Sequence, residues 1–159
     1  MYQKILIPLD GSELAECSLL HAKAIAKGCN ASELIVFRAI EPLSAQTISA
    51  IAEVGDDLLE KAKYENAKAA QDYIFKMAST LKAEGLTTRG VTTNGRPSDE
   101  IIDYSQKNNI DLIVMSTHGR SGISRFYFGS VADRVSRHSP IPVLIISPSG
   151  CRVFQHEQL

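Results

Sequence analysis

The chain has 159 residues, the length of one ordinary domain, and a domain of that size buries roughly 70% of the surface its unfolded chain exposes. Its 17 Lys and Arg stand against 18 Asp and Glu, with 44% hydrophobic and 22% charged residues and a formal charge of -1. That balance excludes a disordered chain, a collagen, a disulfide scaffold and a basic nucleic-acid binder. No apolar run approaches the roughly 18 residues of a membrane helix, and Lys4-Ile5-Leu6-Ile7 opens the chain in place of a signal-peptide core, so a cytoplasmic protein with no membrane partner is expected. Cys17, Cys29 and Cys151 show neither C-x-x-C nor Cys/His ligand spacing; they are expected to be reduced and structural, without a metal.

The first element is the run Ile5-Leu6-Ile7, apolar without alternation, as expected of a parallel strand covered on both faces. Leu14, Ser18, Ala22 and Ile25 follow at helical spacing. Leu34-Ile35-Val36-Phe37 reads as a second buried strand, and Glu41 to Asp56 as a connection about twice the usual length. Leu59, Ala62, Ala69, Tyr73, Met77 and Leu81 predict a helix of about 25 residues that Gly85 terminates. Thr87 to Thr93 is a weaker third strand. The next helix begins near Pro97, with Ile101 and Ile102 inward and Asp99 and Glu100 favourable to the dipole of its first turn. Leu112-Ile113-Val114-Met115 is the fourth strand, followed by the glycine- and serine-rich stretch His118 to Phe128. A helix from Gly129 to about His138 stops before Pro140, and Val143-Leu144-Ile145-Ile146 is the last strand. The tail from Pro148 to Leu159 is polar enough to fray.

Strands and helices alternate, with connections too long for hairpins. The expectation is a single α/β domain over residues 1–159, its core at about 2–147, with a five-stranded, mostly parallel sheet and helices on both faces. The two long connections leave the carboxyl ends of strands, where open α/β sheets bind ligands.

The strongest chemical signal is Met115-Ser116-Thr117-His118-Gly119-Arg120-Ser121-Gly122, followed by Gly129-Ser130-Val131. A strand that opens into a glycine-bearing loop and then a helix start suits a phosphate: the backbone approaches closely, amides point at the anion, and the helix dipole adds partial positive charge. The same glycines also serve as turn formers and packing positions, and the residues alone leave that choice open. No Gly-Lys-Ser/Thr occurs, so this is not a Walker loop, and the first strand lacks a dinucleotide G-x-G-x-x-G. His118 has no Ser/His/Asp or Cys/His partners that would make it catalytic. Arg120 and Arg125 can neutralise phosphates or remain solvated. Glu60, Lys61, Lys63, Glu65 and Lys68 form a solvated helix face.

Leu6-Ile7-Pro8-Leu9-Asp10-Gly11-Ser12, Gly95-Arg96-Pro97, Ser116-Thr117-His118-Gly119, Gly129-Ser130-Val131-Ala132 and Pro142-Val143-Leu144-Ile145-Ile146, in that order, resemble the universal stress protein family from about Tyr2 to Ser147. The resemblance implies a Rossmann-like fold of the adenine nucleotide α-hydrolase type, with strand order 3-2-1-4-5 and commonly a homodimer, here through the fifth strand. ATP-binding members carry Gly, two residues, Gly, nine residues, then Gly-Ser or Gly-Thr. Gly119 matches the second glycine, Arg120 to Phe128 the nine residues and Gly129-Ser130 the end, while Ser116 replaces the first glycine. Asp10 is thereby placed near the adenosine, the Ala39 backbone at the adenine edge, and Met115 close by. The implied binding set is Pro8, Asp10, Ala39, Met115, Ser116, Gly119, Arg120, Gly129, Ser130 and Val131.

The leading functional expectation is a cytosolic regulatory module of the stress response that binds ATP or another adenine nucleotide, with a divalent ion such as Mg²⁺ able to bridge the phosphates. The alternatives are a dimeric interaction protein without nucleotide, and a slow ATPase or self-phosphorylating protein using Ser121 or Ser124, for which no base is recognisable. A phosphoacceptor receiver fails, because its acidic cluster, acceptor Asp and Lys are replaced by a lone Asp10, by Thr92-Thr93-Asn94 and by Ser147.

Overall fold

The computed structural model describes residues 1–52, 55–117 and 129–147. In chain order these form β1 (Lys4–Pro8), α1 (Glu13–Cys29), β2 (Glu33–Ile40), α2 (Ala45–Ala52), α3 (Asp56–Ala83), β3 (Thr88–Asn94), α4 (Pro97–Lys107), β4 (Leu112–Ser116), α5 (Ser130–His138) and β5 (Val143–Ile146). The strands make one sheet in the order β3-β2-β1-β4-β5, parallel at every pairing. This is the expected α/β, Rossmann-like architecture.

Two apolar layers explain why the strand sequences do not alternate. Ile5, Ile7, Leu34 and Val36 face α1 and α3, whereas Leu6, Ile35 and Phe37 face α4 and α5. Both faces of β1 and β2 are therefore dry, and each fully buried aliphatic side chain contributes about 1.5–3 kcal/mol. Helix α1 starts at Ser12, whose hydroxyl accepts from the Ala15 amide, and ends at Asn30 in the left-handed conformation, φ 54°. Its buried stripe is Ala15, Ser18, Ala22 and Ala26, small side chains that let it lie close to the sheet. Leu14 and Ile25 flank that stripe half-buried. The fully buried Ser18 hydroxyl is satisfied by the Ala15 carbonyl at 2.7 Å.

Three expectations need correction. Residues 41–56 are not a bare connection, because they contain α2, which begins where Ser44 Oγ accepts from the Thr47 amide at 3.1 Å. A helix of 8 residues is too short to display a periodic apolar face in sequence. On α3, 28 residues long, the buried face is Ala70, Ile74, Ala78 and Leu81. Ala69 is exposed, and Tyr73 and Met77 pack at the margin of the core, so the expected stripe lies about one residue out of phase there, while Leu81 is buried as expected. Finally, Cys17 is disulfide-bonded, while Cys29 carries a free, half-buried thiol. Gly85 does end α3: at φ +85° it turns the chain so that the Leu86 amide caps the Leu81 carbonyl at 3.2 Å. Among the described residues no helix is long and apolar enough to cross a membrane.

Candidate functional site

The carboxyl end of β1 sets one wall of the site. Asp10 folds back on the start of α1, its Oδ1 accepting from the Ser12 amide at 2.9 Å and from the Ser12 hydroxyl at 2.6 Å. Ser12 in turn caps α1. The aspartate thus makes the Asx turn that its sequence neighbours suggest, and it also lines a cavity beside β1. The same side chain thus both makes the turn and forms part of the cavity wall. Gly11 sits at φ +88°, and a Cβ on it would come 3.1 Å from Arg38 Nη1.

The second wall comes from β2 and α3. Arg38, near the end of β2, lays its guanidinium over the Tyr73 ring, 5.4 Å from the centroid. The Tyr73 hydroxyl donates to Glu16 Oε1 at 2.9 Å, which ties α3 to α1. Burial, reinforced by that hydrogen bond, holds the Tyr73 phenol well above its ordinary range. Ala39 and Ile40 follow in the strand, and Pro42, Leu43 and Ser44 continue the wall toward α2.

The third wall is β4 with the start of α5. Met115 is buried and Ser116 half-buried. Gly129 stands at the N-cap of α5 with φ -58° and ψ 142°. Its amide donates to the Thr117 carbonyl at 2.6 Å, so it pins the helix start to the strand end and does not face a ligand. The amides left for an anion are those of the first turn, Ser130 onward, which lack intrahelical acceptors by helix geometry.

These walls enclose a cavity of about 500 Å³ at the carboxyl ends of β1, β2 and β4. Small-molecule sites span roughly 300–1,000 Å³. Pro8, Asp10 and Ala39 from one side and Met115, Ser116, Gly129, Ser130 and Val131 from the other all line it. Gly119 and Arg120, together with His118, lie outside the described residues. The sequence reading missed Arg38, Asn66 and Ala70 of α3, and Ile101 of α4, which also line the cavity. A basic residue interrupting the apolar run of β2 just before its end was the available signal for Arg38; Asn66 offered none, being one polar residue among many on a solvated helix. Among the described residues no group of three or more His, Cys, Asp or Glu is placed to hold a metal.

An open parallel sheet with a ligand-sized cavity across its carboxyl edge, beside a helix start, defines a Rossmann-like α/β protein with its site in the usual crevice. The universal stress protein family model matches residues 1–147, and the chain belongs to that family. It is similar to universal stress protein MJ0531 of Methanocaldococcus jannaschii, 32% identical over 147 residues that cover 92% of this chain and 82% of that one. MJ0577 of the same organism has a solved structure that superposes with a TM-score of 0.75 at 30% identity, covering 92% of this chain and 96% of that one. A universal stress protein solved in complex with cAMP matches with a TM-score of 0.64 at 30% identity, covering 91% and 97%.

Proposed function

We propose that this chain is a cytosolic regulatory module of the stress response that binds ATP or another adenine nucleotide, and that it works as a homodimer joined through β5. The observation that carries the reading is the cavity at the carboxyl ends of β1, β2 and β4, with apolar walls at Pro8 and Met115, a carboxylate at Asp10 and the start of α5 at Gly129 and Ser130. The adenine edge meets the donor and acceptor of the Ala39 peptide, Asp10 accepts from the ribose, and the phosphates meet the first-turn amides and dipole of α5. A divalent ion such as Mg²⁺ would take its ligands from phosphate oxygens and water. The cAMP held by a relative at 30% identity supports adenine nucleotides as the ligand class.

The second reading, a dimeric interaction protein without nucleotide, draws on Ser116, whose position lines the cavity where ATP-binding relatives carry glycine. Mass spectrometry of small molecules released on denaturing the purified protein separates the two. A co-purified adenine nucleotide is the expected result; its absence, together with no ATP binding by calorimetry, would leave the interaction reading standing.

A further inference from the structure

We propose that Arg38 is a specificity-determining residue of this cavity, selecting adenine nucleotides that carry a phosphate on the ribose ring, at the 2′ or 3′ position, in addition to the 5′ phosphate. The inference rests on the nucleotide reading above and names its ligand more closely. Arg38 lines the cavity, and its guanidinium meets two neighbours there that come from different parts of the chain. One is the face of Tyr73, 5.4 Å away, with that ring itself anchored to Glu16 at 2.9 Å. The other is the turn at Gly11, where the missing side chain leaves room for Nη1. A guanidinium seated in this way loses less rotamer freedom when it meets an anion.

Its place along the sheet decides which anion. Pro8 pairs with Phe37 and the Leu9 amide donates to the Phe37 carbonyl at 2.8 Å, so Arg38 stands beside the end of β1 where Asp10 begins the turn. The start of α5 follows β4, on the opposite side of β1, and strands two apart are roughly 9–10 Å apart. The cavity therefore has two poles for negative charge, with Asp10 between them: the α5 start on the β4 side and Arg38 on the β2 side. A 5′ phosphate at the first pole leaves the ribose at Asp10 and the base at the peptide of Ala39, whose side chain lies on the α4 face. Arg38 turns to the other face, against Tyr73 of α3, so the group that reaches it is a substituent on the ring hydroxyls. A carboxylate beside a ribose and an arginine beside a ribose phosphate is the general chemical logic by which α/β sheets tell a free hydroxyl from a phosphorylated one. The fork of the guanidinium matches phosphate oxygens in a bidentate pair.

The test measures by calorimetry the affinities of the full chain for AMP, adenosine 2′,5′-bisphosphate and adenosine 3′,5′-bisphosphate, in the wild type and in Arg38→Gln and Arg38→Lys. The readout is the ratio of each bisphosphate's affinity to that of AMP. A charge-assisted pair predicts that one bisphosphate binds wild type about tenfold or more tightly than AMP. That ratio falls toward one in Arg38→Gln and is intermediate in Arg38→Lys, which keeps the charge and stem and carries the comparison if the Gln variant does not fold. A wild-type ratio within about twofold of one, or a preference that survives in the variants, overturns the assignment while the nucleotide reading stands. Failure of AMP and both bisphosphates to bind at all overturns the nucleotide reading and this one with it.

Discussion

At the scale of single residues, the site contains positions whose structural duty rests on the backbone and positions whose duty rests on a side chain. Gly129 has a backbone conformation, φ -58° and ψ 142°, open to any L-residue, so Gly129→Val should fold. Its branched side chain would stand in the cavity wall next to Ser130, and calorimetry should show loss of ATP affinity by at least tenfold; unchanged affinity in a folded variant would refute the phosphate placement. Asp10 is different because its Oδ1 already holds the Ser12 amide and hydroxyl. Asp10→Ala should weaken adenosine and ATP alike, since its proposed contact is to the sugar, and should lower stability by about 1 kcal/mol through the loosened α1 start. A loss confined to the triphosphate would contradict the sugar contact. Gly129 and Ser130 were legible as candidates because a glycine-bearing stretch leading into a helix start is a pattern that suits phosphate, whereas Asp10, Ala39 and Met115 were named through the family resemblance. Arg38 was not legible, because its partners Tyr73 and Gly11 are distant in sequence and only the fold brings them together.

Secondary-structure elements carry the next level of constraint, and α3 is the clearest case. Gly90 of β3 faces it so closely that a Cβ there would meet Ile74 Cγ2 at 2.8 Å and the Ile74 carbonyl at 3.3 Å. Gly90→Ala must push α3 away from the sheet, and chemical denaturation should show a loss of about 1–3 kcal/mol. Next to Ile74, at the margin of the same core layer, the Tyr73 phenol is held above its ordinary range by burial and by Glu16. The folded state thus favours the neutral phenol, so its contribution is complete below the unfolded value of about 10 and is lost as pH rises beyond it. Tyr104 is raised by burial as well and adds a decline of the same sign. Urea midpoints between pH 8 and 11 should therefore fall less steeply in Tyr73→Phe than in wild type, and equal slopes would show that the phenol is not shielded as described. Periodicity foretold α3 but placed its stripe on Tyr73 and Met77, because large side chains at the margin of a helix face outweigh the alanines at its centre. Helix α2 escaped notice for a related reason: its 8 residues offer barely two turns.

For the whole molecule, four apolar runs and the weaker Thr87 to Thr93 stretch made the parallel sheet legible, whereas the strand order came from the family motifs, since continuous apolar strands do not say which one lies at an edge. The fold places β5 at the edge beside β4, and an edge strand offers unpaired backbone groups to another copy. Leu144 and Ile146, two residues apart, share one face of the strand: Ile146 is only 5% exposed and belongs to the core layer against α1 and α3, whereas Leu144 is 36% exposed. A two-fold axis beside β5 would pair the strand with its own copy, antiparallel, and bring the two Leu144 side chains toward each other in a closed interface. Leu144→Lys puts two like charges near that axis without disturbing the buried Ile146, so the fold should survive while the association fails. Sedimentation at micromolar concentration should find wild type dimeric and Leu144→Lys monomeric, with unchanged circular dichroism. A monomeric wild type, or a variant that still dimerises, would show that the proposed homodimer does not use this edge.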